Sequence, residues 1–125
     1  MPAQKRILLV DDEEAILFAF RQILRSPELL VDTAATVEKA KELIASTQYS
    51  GVVADLRLSG ATNIEGYEVV QFARETQPKC VVIVLTAYGG DDTKKRVSEL
   101  GADCYLEKPV SPQAVKEILR ARGAI

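Results

Sequence analysis

Short uninterrupted apolar runs alternate along this chain with stretches in which apolar residues recur every three or four positions. The runs are Ile7–Val10, Gly51–Ala54, Val81–Leu85 and Cys104–Leu106, with a less marked one at Leu29–Thr33. Runs of this length without polar alternation predict strands covered on both faces. Glu13–Arg25 has helical spacing, with Ile16, Phe20, Ile23 and Leu24 predicted inward and Arg21 and Arg25 opposite. Pro27 sits where a helix stop is expected. Thr36 is a candidate N-cap for a helix over Val37–Ala45, with Ala40, Leu43 and Ile44 inward. Glu65–Thr76 predicts a further helix with Val69, Val70, Phe72 and Ala73 in the core and Pro78 just beyond. Asp91 and Asp92 suit the start of a helix to Leu100, which Gly101 is placed to end. Ser111 followed by Pro112 predicts the cap and first position of a last helix, Pro112–Arg122. The order is a βα unit repeated five times, which predicts an α/β fold with a parallel sheet and helices on both faces.

Composition narrows the classes. A chain of 125 residues, 47% hydrophobic and 27% charged, reads as one globular domain, residues 1–125. The net charge of -2 offers no basic footprint for nucleic acid. The absence of histidine removes His-based catalysis, most zinc sites and a phosphohistidine carrier role. No apolar stretch is long enough to span a bilayer, and Lys5-Arg6 precede only four apolar residues before an acidic run, so neither membrane insertion nor a signal peptide is expected. Cys80 and Cys104 lack metal-ligand spacing and read as reduced residues, which points to the cytoplasm.

The chemistry gathers at strand ends. Asp11-Asp12 follow the first run, Asp55 the third, Thr86 the fourth, and Lys108-Pro109 follow the last. In an open parallel sheet these ends share one edge, where such folds bind ligands. Three carboxylates brought together repel one another, and a hard divalent cation relieves that repulsion; oxygen ligands point to Mg2+, with Mn2+ as substitute. A carboxylate can also attack phosphorus, which makes Asp55 a candidate nucleophile.

With these residues the chain resembles a response-regulator receiver domain of two-component signalling. The resemblance runs from Ile7-Leu8-Leu9-Val10-Asp11-Asp12-Glu13, through Val52-Val53-Ala54-Asp55-Leu56-Arg57-Leu58 and Val84-Leu85-Thr86-Ala87, to Leu106-Glu107-Lys108-Pro109-Val110. The spacing is 44 residues from Asp11 to Asp55, 31 on to Thr86 and 22 on to Lys108. The resemblance implies a flavodoxin-like doubly wound sheet of order 2-1-3-4-5. It implies that Asp55 is the phosphoacceptor and that Asp12 and Asp55 bind the ion directly. Asp11 would act mainly through water, and the Arg57 carbonyl would complete the ligands. Lys108, aimed by a cis bond to Pro109, would pair with the phosphoryl oxygens. The Thr86 hydroxyl would move toward the phosphate and let Tyr105 turn inward, shifting the face of the fourth helix, last strand and last helix. Lys95, Val97, Ser98, Tyr105, Glu107 and Leu119 are candidate contacts on that face.

The implied partners are a sensor histidine kinase or histidine phosphotransfer protein, and a downstream effector or fused output domain, with a homodimer on phosphorylation as a further option. The domain would not be a turnover enzyme, catalysing only its own phosphoryl transfer and dephosphorylation. The chain departs from the family pattern after Asp55. Ser59 stands where a proline is usual, and the matching glycine is Gly66, eleven residues on, which implies about three inserted residues within Ser59–Ile64. Arg57 and Tyr88 occupy positions that in this family influence hydrolysis, and their bulk and charge predict a long-lived phosphorylated state. A haloacid-dehalogenase-type phosphatase fits less well, because it needs an aspartate where Arg57 stands and has a cap domain. A receiver-like module that works without phosphorylation normally lacks an acid or the lysine. Neither GxGxxG nor GxxxxGK occurs, which leaves nucleotide binding without support.

Overall fold

The computed structural model describes residues 5–56, 65–87 and 90–125. Five strands alternate with five helices: β1 Lys5–Val10, α1 Glu14–Leu24, β2 Leu29–Ala34, α2 Val37–Ser46, β3 Gly51–Asp55, α3 Glu65–Thr76, β4 Val81–Thr86, α4 Asp91–Glu99, β5 Cys104–Glu107 and α5 Pro112–Ala121. The strands form one parallel sheet in the order β2-β1-β3-β4-β5. β3 and β4 each run one residue past their apolar runs, so Asp55 and Thr86 are themselves the last strand residues.

The continuous apolar runs have a direct cause. Successive side chains of one strand enter opposite layers. Leu8, Val10, Val52, Ala54, Val82 and Val84 pack with Val37, Ala40 and Ile44 of α2, Val69, Val70 and Ala73 of α3, and Val97 of α4. Ile7, Leu9, Val53, Ile83 and Leu85 pack with Phe20 and Leu24 of α1 and Val115 and Leu119 of α5. Both faces are apolar because both are covered. Truncating a fully buried residue such as Leu8 to Ala costs roughly 2–5 kcal/mol at sites of this kind.

The predicted caps are in place. Thr36 Oγ1 accepts from the Lys39 amide and Ser111 Oγ from the Ala114 amide. Gly101, at φ 108°, follows α4 in the left-handed region. Arg25 closes α1, its amide donating to the Arg21 carbonyl two residues before Pro27.

One face assignment is corrected. Ile23 points to solvent at 42% exposure, and Leu17 joins Ile16, Phe20 and Leu24 against the sheet. The segment Ala15–Phe20 is apolar all round, so its periodicity does not single out the inward face; Phe18 is left 66% exposed. Both cysteines are free thiols. Among the described residues no helix is long and apolar enough to cross a membrane.

Candidate functional site

The parallel register brings the C-terminal ends of β1, β3, β4 and β5 to one edge, and with them Asp11, Asp55, Thr86 and Lys108. Asp11 follows β1 directly and is held by its backbone, its amide donating to the Ala34 carbonyl at the end of β2 at 3.0 Å. Its Oδ1 accepts the Glu13 amide at 2.9 Å, an arrangement that turns the chain from strand into α1. Asp55 closes β3, and the amide of the next residue, Leu56, donates to the Leu85 carbonyl at 3.1 Å. Both carboxylates are buried, whereas Asp12 is exposed.

Lys108 ties the site together. Its Nζ donates to Asp11 Oδ2 at 3.0 Å and to Asp55 Oδ2 at 2.9 Å. Its amide donates to the Thr86 carbonyl at 2.8 Å, which fixes the turn after β5, and the Lys108–Pro109 bond is cis. Burial disfavours the charge on Lys108, but the hydrogen bonds to Asp55 and Asp11 outweigh it and leave the ammonium above the ordinary lysine value. Burial raises the Asp11 carboxyl above its ordinary value, with the Glu13 amide and Lys108 pulling against it and Asp55 adding repulsion.

The donor set suits a hard cation. One carboxylate oxygen from each of Asp11, Asp12 and Asp55 lies within 4.8 Å of the others. All-oxygen, anionic and open on the Asp12 side, the cluster fits Mg2+ or Mn2+. Arg57, Tyr88 and the Ser59–Ile64 insertion lie outside the described residues.

Thr86 is buried at the end of β4, and Tyr105 is half-buried in β5 on the same face of the sheet, its nearest register partner being Val84. The Tyr105 hydroxyl accepts the Gly90 amide at 3.2 Å, at the entry to α4. That bond joins strand to helix across 15 residues, and no local pattern signals it.

The predicted partner face needs a correction. Val97 and Leu119 are buried in the two core layers, because α4 and α5 each turn those positions toward the sheet. Lys95, Ser98 and Glu107 are exposed as expected. A cavity of about 690 Å3 lies at the opposite sheet edge, among Gln48, Tyr49, Gln77, Lys79 and Arg122, well away from this chemistry.

Residues 7–120 match the family described as the response regulator receiver domain. The chain belongs to that family. Receiver domains are signalling domains of two-component systems, not turnover enzymes, and they generally bind Mg2+ at an acidic pocket. The receiver is 33% identical over 121 residues to the photosynthetic apparatus regulatory protein RegA of Cereibacter sphaeroides, a match covering 97% of this chain and 64% of RegA. It therefore spans less than two thirds of that relative. A CheY-like receiver domain protein from Methanospirillum hungatei JF-1 superposes with a TM-score of 0.87 at 31% identity, over 96% of this chain and 94% of that one. The BeF3-activated DrrB receiver domain superposes with a TM-score of 0.82 at 29% identity, over 95% and 97%.

Proposed function

We propose that residues 1–125 form a single receiver domain that accepts a phosphoryl group on Asp55 and signals by a change at its α4-β5-α5 face. The observation that carries this reading is the position of Lys108 Nζ, within 3.0 Å of both Asp11 and Asp55, beside a three-carboxylate cluster. In the transfer, an Asp55 carboxylate oxygen attacks phosphorus as the phosphorus–nitrogen bond of a phosphohistidine donor breaks. The electron pair of that bond leaves on the imidazole. The donor is a sensor histidine kinase or a histidine phosphotransfer protein.

Asp11, Asp12 and Asp55, with the Arg57 carbonyl as a further ligand, would hold Mg2+ (or Mn2+), which when bound would offset the charge of the transferred group. Lys108 orients and neutralises phosphoryl oxygens; at 4 Å one such pairing is worth roughly 4 kcal/mol at an effective dielectric near 20. Exclusion of bulk water by the buried Asp55 and Thr86 strengthens these contacts.

Signalling follows from the added charge. A phosphoryl group brings about two negative charges and three acceptors, and it draws the Thr86 hydroxyl. Tyr105 then exchanges its bond to the Gly90 amide for a position closer to the core, and α4 shifts with it. The reader of this face is a downstream effector or a fused output domain, and the shift also allows a homodimer. The setting is cytoplasmic. That DrrB was obtained as a BeF3-activated receiver domain supports using the same probe here.

The test is 19F NMR of beryllofluoride with Mg2+ on wild type and on Asp55→Asn. Bound fluoride resonances in wild type alone are expected. Equal binding by the variant would remove Asp55 from the role.

A further inference from the structure

Gly66 is the second residue of α3 and touches the strand end that carries Asp55. Its amide donates to the Leu56 carbonyl at 3.2 Å. A Cβ at this position would overlap the Leu56 Cα and stand 2.7 Å from both the Asp55 and Leu56 carbonyl oxygens. All three atoms are main chain, so no rotamer change relieves the overlap. Reaching ordinary contact at 3.4 Å with the two oxygens alone would part helix and strand end by about 0.7 Å, and clearing the Leu56 Cα requires more. Two other glycines provide comparisons. At Gly51, the other end of the same strand, a Cβ would crowd only side-chain tips, Ile7 Cδ1 at 2.8 Å and Leu119 Cδ2 at 2.9 Å, with the Val81 carbonyl oxygen at an ordinary 3.5 Å. At Gly90, where the backbone is extended, it would meet nothing within 4 Å.

We propose that Gly66 is a positioning residue for the phosphoacceptor. Its missing side chain lets α3 press directly on the Asp55–Leu56 backbone and fixes where the Asp55 carboxylate stands. This rests on the reading of Asp55 given above. Asp55 must meet Lys108 at 2.9 Å while keeping an oxygen within 4.8 Å of Asp11 and Asp12 oxygens. A displacement of about 0.7 Å along the Lys108 contact would lengthen it from 2.9 Å to about 3.6 Å, outside hydrogen-bond range. Misplacing a reacting group by about 1 Å costs up to roughly 100-fold in rate. The glycine therefore sets the geometry of a site to which it contributes no atom.

The test compares wild type with Gly66→Ala, Gly51→Ala and Gly90→Ala. Each is measured for melting temperature, Mg2+ affinity by calorimetry, and rate of labelling by acetyl phosphate. Gly66→Ala is expected to bind Mg2+ at least about fivefold more weakly and to label at least about tenfold more slowly. Gly51→Ala should lose stability yet keep both within about twofold; Gly90→Ala, whose amide still donates to Tyr105, should melt as wild type does. If Gly66→Ala loses stability but matches Gly51→Ala in affinity and rate, the glycine is structural and the proposal falls. If wild type itself neither binds Mg2+ nor takes label, the reading of Asp55 falls and this role with it. Should Gly66→Ala not fold, amide exchange in wild type decides. Mg2+ is expected to slow exchange at Gly66 while leaving Gly101 unchanged, and an unchanged Gly66 amide would overturn the proposal.

Discussion

Replacing Lys108 with Met removes one charge from between two. The ammonium lies 2.9 Å from Asp55 Oδ2 and 3.0 Å from Asp11 Oδ2. Each contact has a gross Coulomb attraction of roughly 5–6 kcal/mol at an effective dielectric of 20, most of it offset by desolvation. What decides the outcome is the state left behind. The side chains of Asp11 and Asp55 are only 5% and 7% exposed, so the variant holds two adjacent buried carboxylates without their cation. Breaking a buried pair from one side costs about 3–5 kcal/mol; the 15% exposure of the lysine places this case at the lower end, near 3 kcal/mol. For a chain of this size that is a fall of about 10 °C in melting temperature. The assay is thermal denaturation followed by circular dichroism at pH 7, in EDTA and then in excess Mg2+. The variant should melt well below wild type in EDTA and regain most of the difference with Mg2+, because the ion occupies the folded acidic cluster. A fall under about 3 °C in EDTA, or one that Mg2+ does not reduce, would show that Lys108 does not neutralise the two buried carboxylates.

Asp11→Asn should stabilise the metal-free protein and weaken Mg2+ binding, both readable from melts with and without the ion. The sign follows from linkage: burial raises the folded-state Asp11 value above 3.8, so the folded protein binds the proton first. Stability from this group therefore rises as pH falls from the raised value toward 3.8, and Asp11→Asn should abolish that component. Burial pushes the Cys80 thiol up to about 12, while Cys104 is partly exposed. Iodoacetamide at pH 8 should thus modify Cys104 first and reach Cys80 only in denaturant, as peptide mass mapping would show. Helix α4 has one buried residue, Val97, and no side-chain cap, so its amides should exchange fastest among the five helices; slower exchange there than in α2 would contradict this.

How far the sequence spoke depended on where each interaction lies along the chain. The five strands announced themselves because burial on both faces leaves apolar runs without alternation, and Thr36, Ser111 and Gly101 marked helix ends through contacts within a few residues. Strand order was available only through family resemblance, since crossover choice leaves no local periodicity. α1 misled in part because Ala15–Phe20 is apolar on every side, which hid the exposure of Phe18 and Ile23. Val97 and Leu119 looked available on the α4 and α5 surface but are the inward positions of those helices. Arg74 left no signal either. It donates to the Gly101, Pro78 and Cys80 carbonyls and to Asp103, joining α3 to the starts of β4 and β5 over separations of up to 29 residues. The site itself was legible as residue types at strand ends. The shared contact of Lys108 with Asp11 and Asp55, and the main-chain approach of Gly66, required the fold.

Whether Asp55 carries the phosphoryl group can be read from incubation with acetyl phosphate and Mg2+, followed by borohydride trapping and peptide mass mapping. One trapped site is expected, at Asp55, dependent on Mg2+ and absent from Asp55→Asn. Labelling that persists in the variant, or that maps to Asp11 or Asp12 in wild type, would contradict it.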